Sequence, residues 1–142
     1  MELQDRKYYI DVNVFLAPIL YDLSNNSDAQ LANLFLKRLI NNEIIGFTSV
    51  LTWDEFVWIV RKVLNKEESI KKGQKFLQFP YLRFIETSLE IIKIAQEFLE
   101  KYPIKPRDAI HLATAITNGI YKIVTFDNDF KDISEISSLR PF

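Results

Sequence analysis

Strand signals and helix signals take turns along this chain, and that alternation restricts it to an α/β fold. Tyr8-Tyr9-Ile10 is a short aromatic and β-branched run that ends at Asp11 and reads as the first strand. Ile44-Ile45-Gly46-Phe47-Thr48, Leu82 to Ile85 and Tyr121 to Thr125 are the next three, and a fifth is expected near Leu139. Between them lie helical periodicities. One helix is expected over Val14 to Leu20, disturbed at Pro18. A second runs over Ala29 to Asn41, capped from the polar break Asn25-Asn26-Ser27-Asp28, with Leu31, Leu34, Phe35 and Leu39 as its apolar positions. Ser49 suits the cap of a helix over Val50 to Leu64, and another spans Glu67 to Phe79, ending before Pro80. Leu89 to Lys101 is amphipathic, with Ile91, Ile92, Ala95, Phe98 and Leu99 as its core face. The last helix opens at Lys105-Pro106-Arg107-Asp108 and stops at Asn118-Gly119.

With 142 residues, 48% of them hydrophobic and 13% aromatic, the chain is expected to form one domain over residues 1–142 around one core. It contains no cysteine, which excludes disulfides, zinc–thiolate sites and thiol catalysis. The start of the chain lacks an apolar segment before a cleavage site, and no apolar window of about 18 residues reads as a membrane span, so the cytoplasm is the expected location. A net charge of −1 argues against a protein that grips nucleic acid by charge alone. It argues less against a nuclease, because bound metal supplies local positive charge.

Two acids stand where strands end, Asp11 after the first and Asp127 after the fourth. In open parallel sheets ligands bind beyond the carboxyl ends of the strands, at the point where the strand order reverses. Asp108 falls in the first turn of the helix leading into the fourth strand, and Glu55 falls one turn into the helix after the second. Four carboxylates at one rim repel each other, and a divalent cation removes the conflict. An oxygen-only donor set with a single histidine in the chain suits Mg²⁺ or Mn²⁺. Such an ion polarises a phosphodiester and activates a water.

Each acid also has an ordinary structural reading. Asp11 suits a cap or turn, Asp108 the positive end of its helix, Glu55 a solvated face, and Asp127 an Asp-Asn turn, as do Asp129 and Asp132. It is the four together, at the proper ends of alternating elements, that point to a site. Lys105 and Arg107 adjoin Asp108 and are placed to meet a scissile phosphate. Residues 61–75 carry six basic side chains against two acidic ones, a stretch that suits either an RNA backbone or a solvated face. His111 is expected to be a structural hydrogen-bonder at the rim. Phe56 to Val60 are all apolar, so their helix is expected to be deeply buried or to face a partner.

The segments Tyr9-Ile10-Asp11-Val12-Asn13-Val14-Phe15-Leu16, Thr48-Ser49-Val50-Leu51-Thr52-Trp53-Asp54-Glu55, Arg107-Asp108-Ala109-Ile110-His111-Leu112-Ala113-Thr114-Ala115 and Ile123-Val124-Thr125-Phe126-Asp127-Asn128-Asp129-Phe130 together resemble the PIN-domain family. More narrowly they resemble the VapC-type toxins of toxin–antitoxin pairs. The resemblance implies helices on both faces of a parallel sheet of order 3-2-1-4-5, and Mg²⁺- or Mn²⁺-dependent endonucleolytic cleavage of RNA. It maps the family's acidic quartet onto Asp11, Glu55, Asp108 and Asp127, as catalytic and metal-binding residues, with Asn13 and Thr125 in support. It also implies a homodimer and a neutralising antitoxin. Val12 departs from the small or hydroxyl residue usual beside the first acid. Asp54 rivals Glu55, but successive helix residues point about 100° apart, so one of them is chosen, and the family has glutamate there. An RNA-processing nuclease outside toxin–antitoxin pairs and a non-catalytic RNA-binding module are the alternatives. A phosphatase with an aspartyl nucleophile is disfavoured, because Asn13 stands where that chemistry wants a second aspartate.

Overall fold

The computed structural model describes residues 2–142. After a turn of 3₁₀ helix at Gln4–Arg6 the elements run β1 (Lys7–Ile10), α1 (Val12–Leu20), α2 (Ser27–Ile40), β2 (Ile45–Ser49), α3 (Val50–Val63), α4 (Lys66–Leu77), β3 (Leu82–Ile85), α5 (Leu89–Lys101), α6 (Pro106–Thr117), β4 (Lys122–Val124) and β5 (Ser137–Leu139). The strands form one sheet of order β3-β2-β1-β4-β5, and every pairing is parallel. The order expected from the family resemblance is therefore found. It reverses between β1 and β4, so the carboxyl ends of these two strands flank a crevice.

Alternation along β1 feeds two cores. Ile10 packs with Val14, Phe35, Leu39, Phe56 and Phe76 on the face covered by α1 to α4. Its neighbour Tyr9 points the other way, to Leu112, Ile123, Phe130 and Ile133. Burying each such large side chain contributes about 1.5–3 kcal/mol. Beside Ile10, β2 carries Gly46, where an added Cβ would lie 2.9 Å from Ile10 Cδ1 and 3.1 Å from Leu39 Cδ1. The strand approaches the helices this closely only because that position has no side chain.

Side-chain caps set the helix starts. Asn26 accepts from Ala29 N, Ser49 from Leu51 N, Asn65 from Glu68 N and Ser88 from Ile91 N. The first helix begins at Val12, two residues before the expected Val14, because Asp11 itself is the cap and accepts from Val12 N. It continues through Pro18 to Leu20. At the other end of the chain α6 stops at Asn118, and Gly119 takes a left-handed φ of 71°.

Two expected core positions lie outside. Leu34 of α2 is exposed, because that helix buries Ala29, Ala32, Phe35, Leu36 and Leu39 instead. Ile92 of α5 is exposed, because α5 packs on α6 through the narrow stripe Ile91 and Ala95 against Ala109 and Ala113. The apolar run in α3 is split: Phe56 and Val60 are buried, Val57 and Ile59 are half-buried, and Trp58 is 60% exposed. Trp53 and Val50 of the same helix are exposed as well. Among the described residues no helix is long and apolar enough to cross a membrane.

Candidate active site

Where β1 ends, the backbone N–H of Asp11 still donates to Val124 O at 3.0 Å, so the sheet holds this residue in place up to the first turn of α1. Its carboxylate is buried and committed on both oxygens. Oδ1 accepts from Val12 N at 2.8 Å, and Oδ2 accepts from Thr125 Oγ1 at 2.8 Å. Thr125 Oγ1 in turn accepts from Asn13 Nδ2 and from Asp127 N, each at 3.1 Å. A hydroxyl has one proton to give and two lone pairs to receive, so this one is fully used. Asn13 Oδ1 accepts from Phe126 N at 3.2 Å and closes the network. The two residues named by the resemblance as supporting, Asn13 and Thr125, therefore tie the first acid to the loop that carries the last.

An open cleft of about 480 Å³ lies alongside, lined by Glu55, Lys105, Pro106, Arg107, Asp108, Asp127 and Asp129. Three segments supply it: the second turn of α3, the start of α6 and the loop after β4. Pro106 occupies the first turn of α6 and starts the helix there, which places Asp108 in its first turn. Asp11 does not line the cleft, but it is close enough for its charge to act on Asp108. The candidates Glu55, Asp108, Asp127, Lys105 and Arg107 are thus brought together, with Asp11 buried behind them.

Electrostatics at the cleft favour a cation. Burial, then the charges of Asp129 and Asp11, push the Asp108 carboxyl up to about 6, against the pull of His111 and Lys105. Burial, then Asp129, raises Asp127. Burial also raises Asp11, against His111 and the Thr125 hydroxyl. All three are raised first by burial, and neighbouring carboxylates add to the shift. The donors facing the cleft are carboxylate oxygens, which fit a hard dication. Among the described residues no three acidic or histidine side chains meet tightly enough to cage a bare ion. The arrangement fits an ion held by one or two carboxylates that keeps several of its waters, the usual habit of Mg²⁺.

Several side chains depart from expectation. Asp129 is not merely a turn residue: it lines the cleft and raises both Asp108 and Asp127. Its spacing of two from Asp127 in a short loop was the available signal. His111 is not at the rim but buried, 1% exposed. Its Nε2 lies 2.6 Å from Glu55 Oε1, and its Nδ1 lies 2.6 Å from the hydroxyl of Tyr9. Burial opposes charge on this ring, but the bond to Glu55 and the charges of Glu55, Asp11 and Asp108 outweigh it and raise its pKa. Asp54 does not line the cleft; it is exposed, with Arg107 at 4.0 Å. None of the six basic residues between 61 and 75 lines the cleft. Lys72 and Lys75 flank an apolar hollow formed by Phe15, Ile19, Phe56, Phe76 and Phe79.

A parallel five-stranded sheet of this order with acids gathered at its reversal point is an α/β nuclease-like architecture, and the chain matches the PIN domain over residues 8–136. It belongs to the PIN-domain family. Among individual proteins it is similar to ribonuclease VapC2 of Methanocaldococcus jannaschii, 27% identical over 94% of this chain and 93% of that protein. It is also similar to ribonuclease VapC6 of the same organism, 34% identical over 59% of this chain and 58% of that one. In fold it is similar to VapC20 of Mycobacterium tuberculosis, a sarcin–ricin-loop-cleaving toxin, with a TM-score of 0.69 at 16% identity over 89% of this chain and 95% of that one. The VapBC2 complex of Rickettsia felis, bound to a promoter DNA fragment, gives 0.68 at 21% identity over 93% and 96%.

Proposed function

We propose that this chain is a Mg²⁺- or Mn²⁺-dependent endoribonuclease, the toxin of a VapBC-type toxin–antitoxin pair. The observation that carries the reading is the meeting of Glu55, Asp108 and Asp127 in one cleft, with Asp11 buried behind it and Lys105 and Arg107 beside it. Resemblance to proteins named ribonuclease VapC supports RNA as the substrate.

In this reading Asp11, Glu55, Asp108 and Asp127 hold the metal, directly or through its waters. The bound metal supplies Lewis-acid polarisation of the phosphodiester and lowers the pKa of an attacking water. The chain does the rest. Thr125 and Asn13 fix Asp11 and the start of the Asp127 loop, so these carboxylates need no reordering when substrate arrives. Lys105 and Arg107 line the same cleft and would neutralise the phosphate backbone there. Asp129 adds a fifth negative charge and strengthens the demand for a cation.

A second copy of the chain and an antitoxin are the proposed partners. Trp58, 60% exposed on α3, offers an apolar contact of the kind that interfaces use.

The deciding experiment is cleavage of total RNA with mapped product ends, comparing wild type with Asp11→Asn and Asp108→Asn, in EDTA and after restoring Mn²⁺. Loss in both variants and in EDTA, with recovery on Mn²⁺, is expected. Undiminished cleavage by both variants rejects the site, and indifference to chelation rejects the metal. Induced expression that leaves growth unaffected while the enzyme is active rejects the toxin role and points to RNA processing.

A further inference from the structure

Glu55 reaches the cleft from α3, a helix whose outer face is open to solvent, and a glutamate side chain has three rotatable bonds with which to wander. Here it does not. Its Oε1 accepts from His111 Nε2 at 2.6 Å, and His111 Nδ1 meets the Tyr9 hydroxyl at 2.6 Å. Tyr9 is fully buried in β1, two residues before Asp11, and His111 is buried on α6, three residues after Asp108. The row Tyr9–His111–Glu55 therefore starts on the strand that carries the first acid, passes through the helix that carries the third, and ends on the second. In the neutral ring, the Tyr9 O–H donates to Nδ1 and the Nε2–H donates to Glu55, which leaves neither nitrogen unpaired. The edge of the imidazole also packs against the Tyr9 ring, with centroids 5.7 Å apart.

We propose that Tyr9 and His111 are positioning residues that lock Glu55 by one oxygen, leaving Oε2 alone to take the cation or one of its waters. This rests on the reading of Glu55 as a metal-holding acid. A carboxylate so tied binds as a single-oxygen ligand of fixed direction. Without the tie it samples other rotamers, and its share in holding the ion falls. Outer-shell partners of metal ligands act in this way, and removing one typically weakens binding about 10–100-fold.

The test is Mn²⁺ affinity by calorimetry and by the electron spin resonance of bound Mn²⁺, on the full chain without RNA, with circular dichroism to establish folding. His111→Leu is expected to weaken Mn²⁺ binding about tenfold or more. His111→Gln, whose amide N–H can reach Glu55, is expected to recover most of the loss, which a purely structural histidine would not require. Tyr9→Phe keeps the bond to Glu55 but frees the ring, and is expected to show a smaller loss. A folded His111→Leu that binds Mn²⁺ as wild type does, or equal losses in the Leu and Gln variants, overturns the proposal. If His111→Leu does not fold, wild-type affinity in Tyr9→Phe together with a Gln variant no tighter than Glu55→Gln overturns it. Wild-type protein that binds no Mn²⁺, or a Glu55→Gln variant that binds it normally, sinks the metal reading itself. Normal loss in Glu55→Gln beside an unaffected His111→Leu sinks only the tie.

Discussion

The hydroxyl of Thr125 donates to Asp11 Oδ2 at 2.8 Å, a single bond that joins the ends of β1 and β4 across the point where the sheet reverses. The same oxygen accepts from Asn13 and from the amide of Asp127. Thr125→Val keeps the shape and removes all three bonds, leaving the Asp127 amide without its partner and Asp11 Oδ2 with only the longer bond from Asn13 Nδ2 at 3.4 Å. It is expected to destabilise the protein by about 1–3 kcal/mol and to lower RNA cleavage at least about tenfold, since a one-ångström misplacement at a reacting centre can cost more than that. Thr125→Ser should retain most of both. Urea unfolding and cleavage rates check this, and a valine variant matching wild type in both would contradict it.

The metal-free protein should lose stability as the pH rises. Asp108 titrates near about 6 in the fold against an ordinary 3.8, so between those values the native state holds a proton that the unfolded chain has released, and stability falls as that proton leaves. The raised His111 acts in the same direction: its contribution is complete below its unfolded value and disappears as the pH climbs through the folded one. The melting temperature without metal is therefore expected to be lower near pH 8 than near pH 5. Mn²⁺ should raise it most at the higher pH, where the acids are charged. Asp108→Asn should flatten part of the decline. Thermal melts that rise from pH 5 to pH 8 in EDTA would refute this.

Asp129 raises both Asp108 and Asp127. Asp129→Asn is therefore expected to move the Asp108 carboxyl down from about 6, and to weaken Mn²⁺ binding without abolishing it. Carboxyl titration by NMR reads the first and calorimetry the second. An unmoved Asp108 would show that Asp129 has no part in setting its value.

Trp58 is 60% exposed on α3, so replacing it should not disturb the fold. Trp58→Lys is expected to leave stability within about 0.5 kcal/mol and to shift the proposed homodimer to monomer in sedimentation. A wild type that sediments as a monomer rules out the dimer, and a variant that remains dimeric moves the interface elsewhere.

What could be read from the sequence was whatever short spacing controls. The cap at Ser49, the Pro106 start and Gly119 stop of α6, and β3 at Leu82–Ile85 follow from local chemistry and are found, and the polar break before α2 does cap it, through Asn26, so that the helix starts at Ser27 and not Ala29. The start of α1 lies two residues before the expected Val14, because an aspartate after a strand suits a turn as well as a cap, and only the fold shows that Asp11 caps the helix directly. Leu34 and Ile92 obey helical spacing, but α2 and α5 turn other residues, Phe35 and Leu36, and Ile91 and Ala95, toward their neighbours. The bond of His111 to Glu55 spans 56 positions and that to Tyr9 spans 102, distances over which no local pattern speaks. Asp129 reads as a turn residue from sequence, because two aspartates in a turn look alike until a cleft picks them out.

Because Asp11 also starts α1, its side chain would be favoured for folding even in a descendant that had abandoned cleavage. An aspartate surviving at that position is therefore poor testimony that a related chain still cuts RNA. Asp108 is the better witness: it sits in the first turn of α6 but caps no helix, and its charge is opposed by burial and by Asp129 and Asp11.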